Sequence, residues 1–308
     1  MNQITKTQTD INVPLWTALI TPFDASGQVD FDTLTNIARH QADANNGILL
    51  LGSTGEGLAL TPQEQLAVVE HVCSLSLPVP IMVGVGGYQL PQQIDWIKAC
   101  NQLPIAAYLL STPLYAKPGA VGLTQWFSAL LDASELPCMV YNVPSRSGVN
   151  IPITTIQAIQ SHQHCWSMKE ASGDLNTFLG YREHCTEIDL YSGEDAMMPY
   201  LAGANVKGLV SVAANAWPSE TRLYVELALQ GKHETLFPVW QQAVDALFQV
   251  ANPIPVKKVM KIQGRLSSAV LRAPLTLAEL AANNNLDQIN QLVEGWYENA
   301  QSQISGVK

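Results

Sequence analysis

The run Cys165-Trp166-Ser167-Met168-Lys169-Glu170-Ala171-Ser172-Gly173-Asp174 sets a short apolar segment, a lysine and a turn-rich loop in immediate succession. The apolar part has the length of a buried strand, and the Ser/Gly/Asp cluster behind it has the composition of a loop. A lysine at such a junction is costly unless it is used. In a low-dielectric pocket the ammonium is disfavoured and its pKa falls, which leaves a neutral amine able to attack a ketone and form a Schiff base. The structural alternative is that Lys169 pairs with Glu170 or extends outward past the strand end. The other lysines favour the chemical reading. Lys257, Lys258 and Lys261 lie on a helix-like stretch, Lys98 in a polar helical pattern, Lys117 in a Pro-flanked loop, and Lys6, Lys232 and Lys308 in polar or terminal segments. Lys207 precedes an apolar run; Lys169 alone sits at the carboxyl end of one.

Outward from this segment the same alternation recurs. Apolar runs at 15–20, 48–51, 80–85, 105–110, 138–141, 165–168, 188–191 and 209–212 predict eight strands. Amphipathic segments at 31–44, 61–75, 90–101, 123–133, 153–160, 176–184, 196–202 and 219–229 predict the helices between them. Thr61-Pro62-Gln63-Glu64 carries the cap, the first-turn proline and the acidic partner of a capping box, and Thr276-Leu277-Ala278-Glu279 repeats that pattern. Beyond residue 230 the strand signal stops, and 233–250, 256–264, 277–283 and 286–301 read as helices. The expected fold is α/β: a (β/α)8 TIM barrel over residues 1–230, with a C-terminal helical appendage over 231–308 packed on it. A doubly wound open sheet is the alternative. Gly84-Val85-Gly86 hints at its nucleotide loop, but Gln89 stands where the third glycine belongs.

A formal charge of −10 with scattered basic residues argues against nucleic acid or a membrane surface as partner. Five cysteines without a CxxC pair fit reduced, buried thiols better than a disulfide framework. The first fourteen residues are polar and lack the apolar core of a signal peptide, so a cytoplasmic, soluble protein is expected. His162-Gln163-His164-Cys165 has the look of a metal cluster but precedes the sixth strand, and histidines two apart in a polar loop are usually solvated. No metal site is expected.

In a barrel of this kind the active site lies where strands end and the following loops begin. Gly52-Ser53-Thr54-Gly55-Glu56 follows the second strand, Thr112-Pro113-Leu114-Tyr115 the fourth, and Tyr141-Asn142-Val143-Pro144-Ser145-Arg146 the fifth. Lys169 ends the sixth, and Ser192-Gly193-Glu194-Asp195 follows the seventh. Lys207 enters its strand from the opposite face. The Gly-Ser-Thr-Gly turn offers N–H groups and hydroxyls to a small carboxylate, or is an ordinary loop turn. Tyr141 can relay a proton to a carbinolamine or enamine, or is a core tyrosine. Arg146 can grip a carboxylate bidentately, or is a surface arginine. Glu56, Glu170, Glu194 and Asp195 read as acids or bases, or as acceptors for loop amides and helix caps.

Taken together, Gly52-Ser53-Thr54-Gly55-Glu56, Tyr141-Asn142-Val143-Pro144-Ser145-Arg146-Ser147-Gly148, Lys169-Glu170-Ala171-Ser172-Gly173 and Asn252-Pro253-Ile254-Pro255-Val256-Lys257 resemble the dihydrodipicolinate synthase family, within the pyruvate-dependent aldolase superfamily that also contains N-acetylneuraminate lyase. The resemblance implies that Lys169 forms a Schiff base with pyruvate, whose enamine attacks the aldehyde of L-aspartate 4-semialdehyde to give 4-hydroxy-tetrahydrodipicolinate, a precursor of diaminopimelate and lysine. It implies a proton relay of Tyr141, Thr54 and Tyr115, the last reaching in from a neighbouring subunit of a dimer or tetramer. Arg146 would receive the carboxylate of the semialdehyde, Ser53 and Thr54 would hold pyruvate, and Gly193 and Val210 would line the pocket through their backbone. No metal or organic cofactor is implied. Ser53 replaces the first threonine of the usual pair, as on the lyase side of the superfamily, and Leu114 stands where many synthases carry tyrosine. An N-acetylneuraminate lyase or sugar-acid aldolase using the same lysine, and a non-catalytic keto-acid-binding homologue, are the other readings.

Overall fold

Eight parallel strands close on themselves in sequential order: β1 (Leu15–Ala18), β2 (Gly47–Leu50), β3 (Ile81–Val85), β4 (Ala107–Ser111), β5 (Cys138–Asn142), β6 (Cys165–Glu170), β7 (Asp189–Ser192) and β8 (Gly208–Ser211), with β8 pairing back onto β1. This computed structural model describes residues 10–238 and 240–304; Lys6, Lys308 and the first nine residues of the polar N-terminal stretch lie outside the described residues. The helices are α1 (Phe31–Asp43), α2 (Pro62–Ser74), α3 (Leu90–Cys100), α4 (Ala120–Ala133), α5 (Pro144–Ser147), α6 (Ile153–Ile159), α7 (Leu175–His184), α8 (Met198–Ala202), α9 (Pro218–Leu229), α10 (Trp240–Leu247), α11 (Ile254–Ile262) and α12 (Leu286–Ile304).

Local signals place most of these elements. The Thr61 hydroxyl accepts the Glu64 N–H at 3.2 Å while the Glu64 carboxylate accepts the Thr61 N–H at 2.8 Å, the reciprocal box the sequence predicts for α2. Asp30 caps α1 through the Thr33 N–H and Asp174 caps α7 through the Asn176 N–H. Two C-terminal expectations fail. The helix expected over 233–250 is a single turn of 3-10 helix, His233–Thr235, then α10, because Pro238 between them supplies no N–H and crowds the preceding turn. The helix expected over 277–283 is only the 3-10 turn Leu277–Glu279: Thr276 caps the Ala278 N–H, Leu280 is already extended, and the polar run Asn283-Asn284-Asn285 holds the chain in a turn until α12 begins.

Each strand divides its residues between two apolar layers. Leu15, Ile48, Leu50, Val83, Leu110, Val140, Met168 and Leu209 face the helices, whereas Trp16, Ala18, Leu49, Met82, Leu109, Met139, Tyr141 and Val210 fill the barrel. β6 departs from strict alternation. Cys165 and Met168 both join the outer layer although they are three residues apart, which simple alternation forbids. The register explains it: Cys138 pairs with Cys165 but Met139 pairs with Ser167, so Trp166 is an extra residue in a bulge. The bulge shifts every later residue by one, and Tyr141 of β5, Lys169 of β6 and Tyr191 of β7 come into line across the sheet.

After α9 the chain forms α10 to α12, which pack on one another and back onto α9. α11 also ties this region to the loop after β2. Lys257, fully buried, meets the equally buried Glu56 at 2.5 Å and donates to the Val270 carbonyl at 3.0 Å; its Nζ lies 4.2 Å from the centre of the Phe23 ring. Glu56 accepts the Arg272 N–H at 2.8 Å, and the Arg272 guanidinium grips Glu64 and the Gly27 carbonyl. Lys257 is thus more than one cation on an amphipathic helix. Ile254, Lys257 and Met260 recur at three-residue spacing on one buried face, which is the phase that takes it inside. Burial pulls its pKa down to about 8, with the Glu56 carboxylate opposing the fall. Lys257→Ala is expected to lower stability by about 3–5 kcal/mol by leaving Glu56 buried without its cation. Urea unfolding of the two proteins measures it, and a difference under about 1 kcal/mol would mean that the pair does not hold the C-terminal region to the barrel.

Candidate active site

A cavity of about 1040 Å³ lies at the carboxyl ends of β2 to β5, and its lining includes Ser53, Glu56, Thr112, Tyr141, Arg146 and Asn252. Lys169 lies beside it, 6% exposed, with its Nζ 4.4 Å from the centre of the Tyr141 ring. Gly193 makes this placement possible: a Cβ there would lie 2.7 Å from Lys169 Cε, so any larger residue would displace the amine. Lys169 does not pair with Glu170, whose carboxylate accepts from Asn142 Nδ2 at 3.0 Å and the Ser172 N–H at 2.9 Å.

The electrostatics follow from burial. Loss of water brings the Lys169 pKa down to about 8; the charges of Asp195 and Glu194 oppose the fall and that of Arg146 deepens it. Burial pushes Glu194 up to about 7, reinforced by the Asp195 charge and opposed by Lys169. Asp195 itself accepts from the Ser211 hydroxyl and from the Val212 N–H, and Trp240 Nε1 donates to its carbonyl at 3.1 Å. Burial also pushes the Tyr141 phenol up to about 12, so at neutral pH it is a proton donor rather than a phenolate. An amine that sheds its proton near pH 8 beside a neutral phenol is equipped for carbinolamine and iminium chemistry.

The remaining sequence-predicted residues divide by position. Thr54 is buried in the turn after β2, and Ser53 beside it is exposed to the cavity. Arg146 stands exposed at the cavity on α5, a one-turn helix not foreseen from sequence that Pro144 opens and Gly148, with φ +71°, closes. Val210 is buried inside the barrel on β8. Tyr115 is 93% exposed with φ +69°, a left-handed conformation that is uncommon for an aromatic residue, and within this chain it lies on the surface away from Lys169. Lys207 pairs with Asp189 at 3.4 Å at the amino end of the strands. His162 and His164 contact Asp132 and the Leu131 carbonyl, and among the described residues no three His, Cys, Asp or Glu side chains are arranged to hold a metal ion. No helix among them is long and apolar enough to cross a membrane, and the five cysteines are free and buried.

Two contacts with the site escaped the sequence reading. Asn252 Nδ2 donates to Thr54 Oγ1 at 2.9 Å, and Arg146 Nη2 donates to the Asn252 carbonyl at 3.4 Å. The partners lie 198 and 106 residues apart in the chain, and nothing but the Asn-Pro-Ile-Pro stretch in the sequence pointed to them.

Residues 13–292 match the Dihydrodipicolinate synthetase family. A 4-hydroxy-tetrahydrodipicolinate synthase of Francisella philomiragia is 45% identical over 94% of this chain and 98% of its own, and one of Wolbachia pipientis from Culex pipiens is 41% identical over 92% and 97%. The solved 4-hydroxy-tetrahydrodipicolinate synthase of Methylacidiphilum fumariolicum superposes with a TM-score of 0.86 at 28% identity, over 94% of this chain and 98% of that one.

The depressed pKa of Lys169 makes stability depend on pH. Between about 8 and the ordinary lysine value of 10.5 the unfolded chain holds a proton that the folded chain has released, so stability rises with pH across this window. Below it both states are protonated, and the folded state carries the full penalty of a buried ammonium. Lys169→Met is therefore expected to be more stable than the parent at pH 7, by about 3 kcal/mol at most, with the gap closing as pH approaches 10. Thermal melts across pH 6–10 read both proteins, and parallel curves would contradict a buried amine titrating near 8.

Proposed function

Since the chain belongs to the dihydrodipicolinate synthetase family, we propose that it condenses pyruvate with L-aspartate 4-semialdehyde to 4-hydroxy-tetrahydrodipicolinate, through a Schiff base on Lys169. The observation that carries this reading is the buried Lys169 amine, with its pKa near 8, over the Tyr141 ring at the carboxyl end of β6. Neutral Lys169 adds to the keto carbon of pyruvate, and loss of water from the carbinolamine leaves an iminium. The iminium draws electrons from the methyl carbon, a C3 proton departs, and the enamine attacks the aldehyde carbon of the semialdehyde, whose oxygen takes up a proton. The amino group of the semialdehyde then closes the ring onto the imine carbon and releases Lys169. The iminium is the electron sink, so no metal or organic cofactor enters the scheme.

The roles proposed are those that the family resemblance implies, and position supports them. Tyr141 donates and accepts the protons of carbinolamine formation and breakdown, with Thr54 next in the relay. Ser53 and Thr54 receive the pyruvate carboxylate at the turn after β2, and the backbones of Gly193 and Val210 close the pocket around the keto acid. Arg146, at the cavity mouth, receives the carboxylate of the semialdehyde. Tyr115 completes the relay from a second copy of the chain, in a dimer or tetramer; its 93% exposure and left-handed backbone support a side chain held out for a neighbour. The proposed division is a catalytic barrel over 1–230 and a C-terminal region over 231–308, of which residues 10–238 and 240–304 are described, in a cytoplasmic enzyme whose partners are its small-molecule substrates.

Lys169→Ala is expected to abolish borohydride trapping of pyruvate while leaving the circular dichroism unchanged; undiminished trapping would sink the lysine assignment. In Arg146→Ala, kcat/KM for the semialdehyde is expected to fall about 100-fold or more with pyruvate trapping nearly unchanged. Equal losses in the two assays would place Arg146 at the pyruvate site instead. Coupled turnover with the semialdehyde, beside N-acetylmannosamine and short sugar aldehydes, tests the substrate itself; activity confined to sugars would move the enzyme to the lyase branch.

A further inference from the structure

Asn252 is 6% exposed between α10 and α11, and its side chain meets the hydroxyl of Thr54, 198 residues earlier in the chain. The bond has a direction. The amide Nδ2 is a donor, so Thr54 Oγ1 accepts, and the Thr54 O–H proton is left free to point elsewhere. Asn252 Oδ1 is buried without a hydrogen-bond partner among the described residues, so the bond to Thr54 is what orients the amide. The backbone behind Asn252 is braced by Lys257 on Glu56, two residues beyond Thr54, so both ends of the contact belong to one clamp. Its carbonyl meanwhile accepts from Arg146.

We infer that Asn252 is a positioning residue that sets the direction of the Thr54 hydroxyl, occupying one oxygen lone pair so that the Thr54 proton is presented to the relay. The inference rests on the reading of Thr54 as a relay member. An acceptor in place of the amide would draw that proton out of the relay while leaving the packing unchanged. A deleted amide would let the hydroxyl rotate.

The experiment follows deuterium uptake into the methyl group of pyruvate in D2O by NMR, with borohydride trapping of pyruvate alongside, on the full chain. Asn252→Ala is expected to slow exchange about 10–100-fold with the trapped fraction at saturating pyruvate unchanged. Thr54→Ala should lose exchange to a similar degree, and the double variant should be within about twofold of Thr54→Ala, because Asn252 acts through that hydroxyl. Asn252→Asp keeps the size of the side chain, so it also serves should the alanine variant fail to fold. It is expected to be slow at pH 8, where the carboxylate accepts from Thr54, and to recover relative to the parent toward pH 5, where the protonated carboxyl donates. Independent, multiplicative losses in the double variant, or Asn252→Asp exchanging at the parent rate at pH 8, would overturn the inference and leave the Schiff-base reading standing. Full exchange in Thr54→Ala would remove Thr54 from the relay and take the inference with it.

Discussion

An ammonium ion sheds most of its hydration on entering a closed β-barrel, and a fold that buries one must either pair it or let it lose its proton. Both solutions are present here. Lys257 and Lys169 are each buried, and burial brings each to a pKa near 8. Lys257 is held by Glu56 and by the Val270 carbonyl, so its charge is compensated and its nitrogen is fully engaged. Lys169 has no hydrogen-bonded carboxylate among the described residues; the charges that favour its protonated form, Asp195 and Glu194, act without an ion pair. A depressed pKa alone does not separate the two. The number of partners on the nitrogen does, and the less engaged amine is the one that lies over the ring of Tyr141, a residue of the cavity wall.

The clamp formed by Lys257 also explains why the C-terminal helices belong to the working enzyme. The loop after β2 carries Ser53, Thr54 and Glu56 within four residues, so a bond that holds Glu56 also limits the motion of the hydroxyls beside it. Arg272 closes the same loop from another side through Glu56, Glu64 and Gly27. Short-range order in this turn is therefore supplied by residues more than 190 positions away. Hydroxyls on a loop must be held within fractions of an ångström to be useful in proton transfer, and rigid contacts behind them serve that end.

Much of this was legible before folding. The alternation of apolar runs with amphipathic segments foretold all eight strands in order, since burial between helices and barrel interior demands short, nearly continuous apolar stretches. The capping box at Thr61 is a contact between residues three apart and needs nothing but local geometry. The sequence placed Lys169, Tyr141, Ser53, Thr54 and Arg146 on one face because they stand at strand ends or just after them, and strand ends in a barrel share one face. The misses were of two kinds. Over 233–250 and 277–283 a helical apolar pattern outweighed a proline and a run of asparagines that in fact broke it. Lys257 was taken for an ordinary helix lysine, although its three-residue spacing from Ile254 and Met260 already placed it on the buried face.

By itself, then, the sequence determined the order and type of the elements, the caps, and which side chains stand at the carboxyl ends of the strands, because each depends on neighbours within a few positions. Tertiary structure alone decided which way those side chains point and what restrains them. The bulge at Trp166 turns Lys169 from the helix side to the interior, and it exists only in the pairing of β6 with β5. The bonds from Asn252 to Thr54 and from Lys257 to Glu56 join segments about two hundred residues apart. No local pattern encodes a partner at that distance; closure of the barrel and docking of the last helices bring the two ends together.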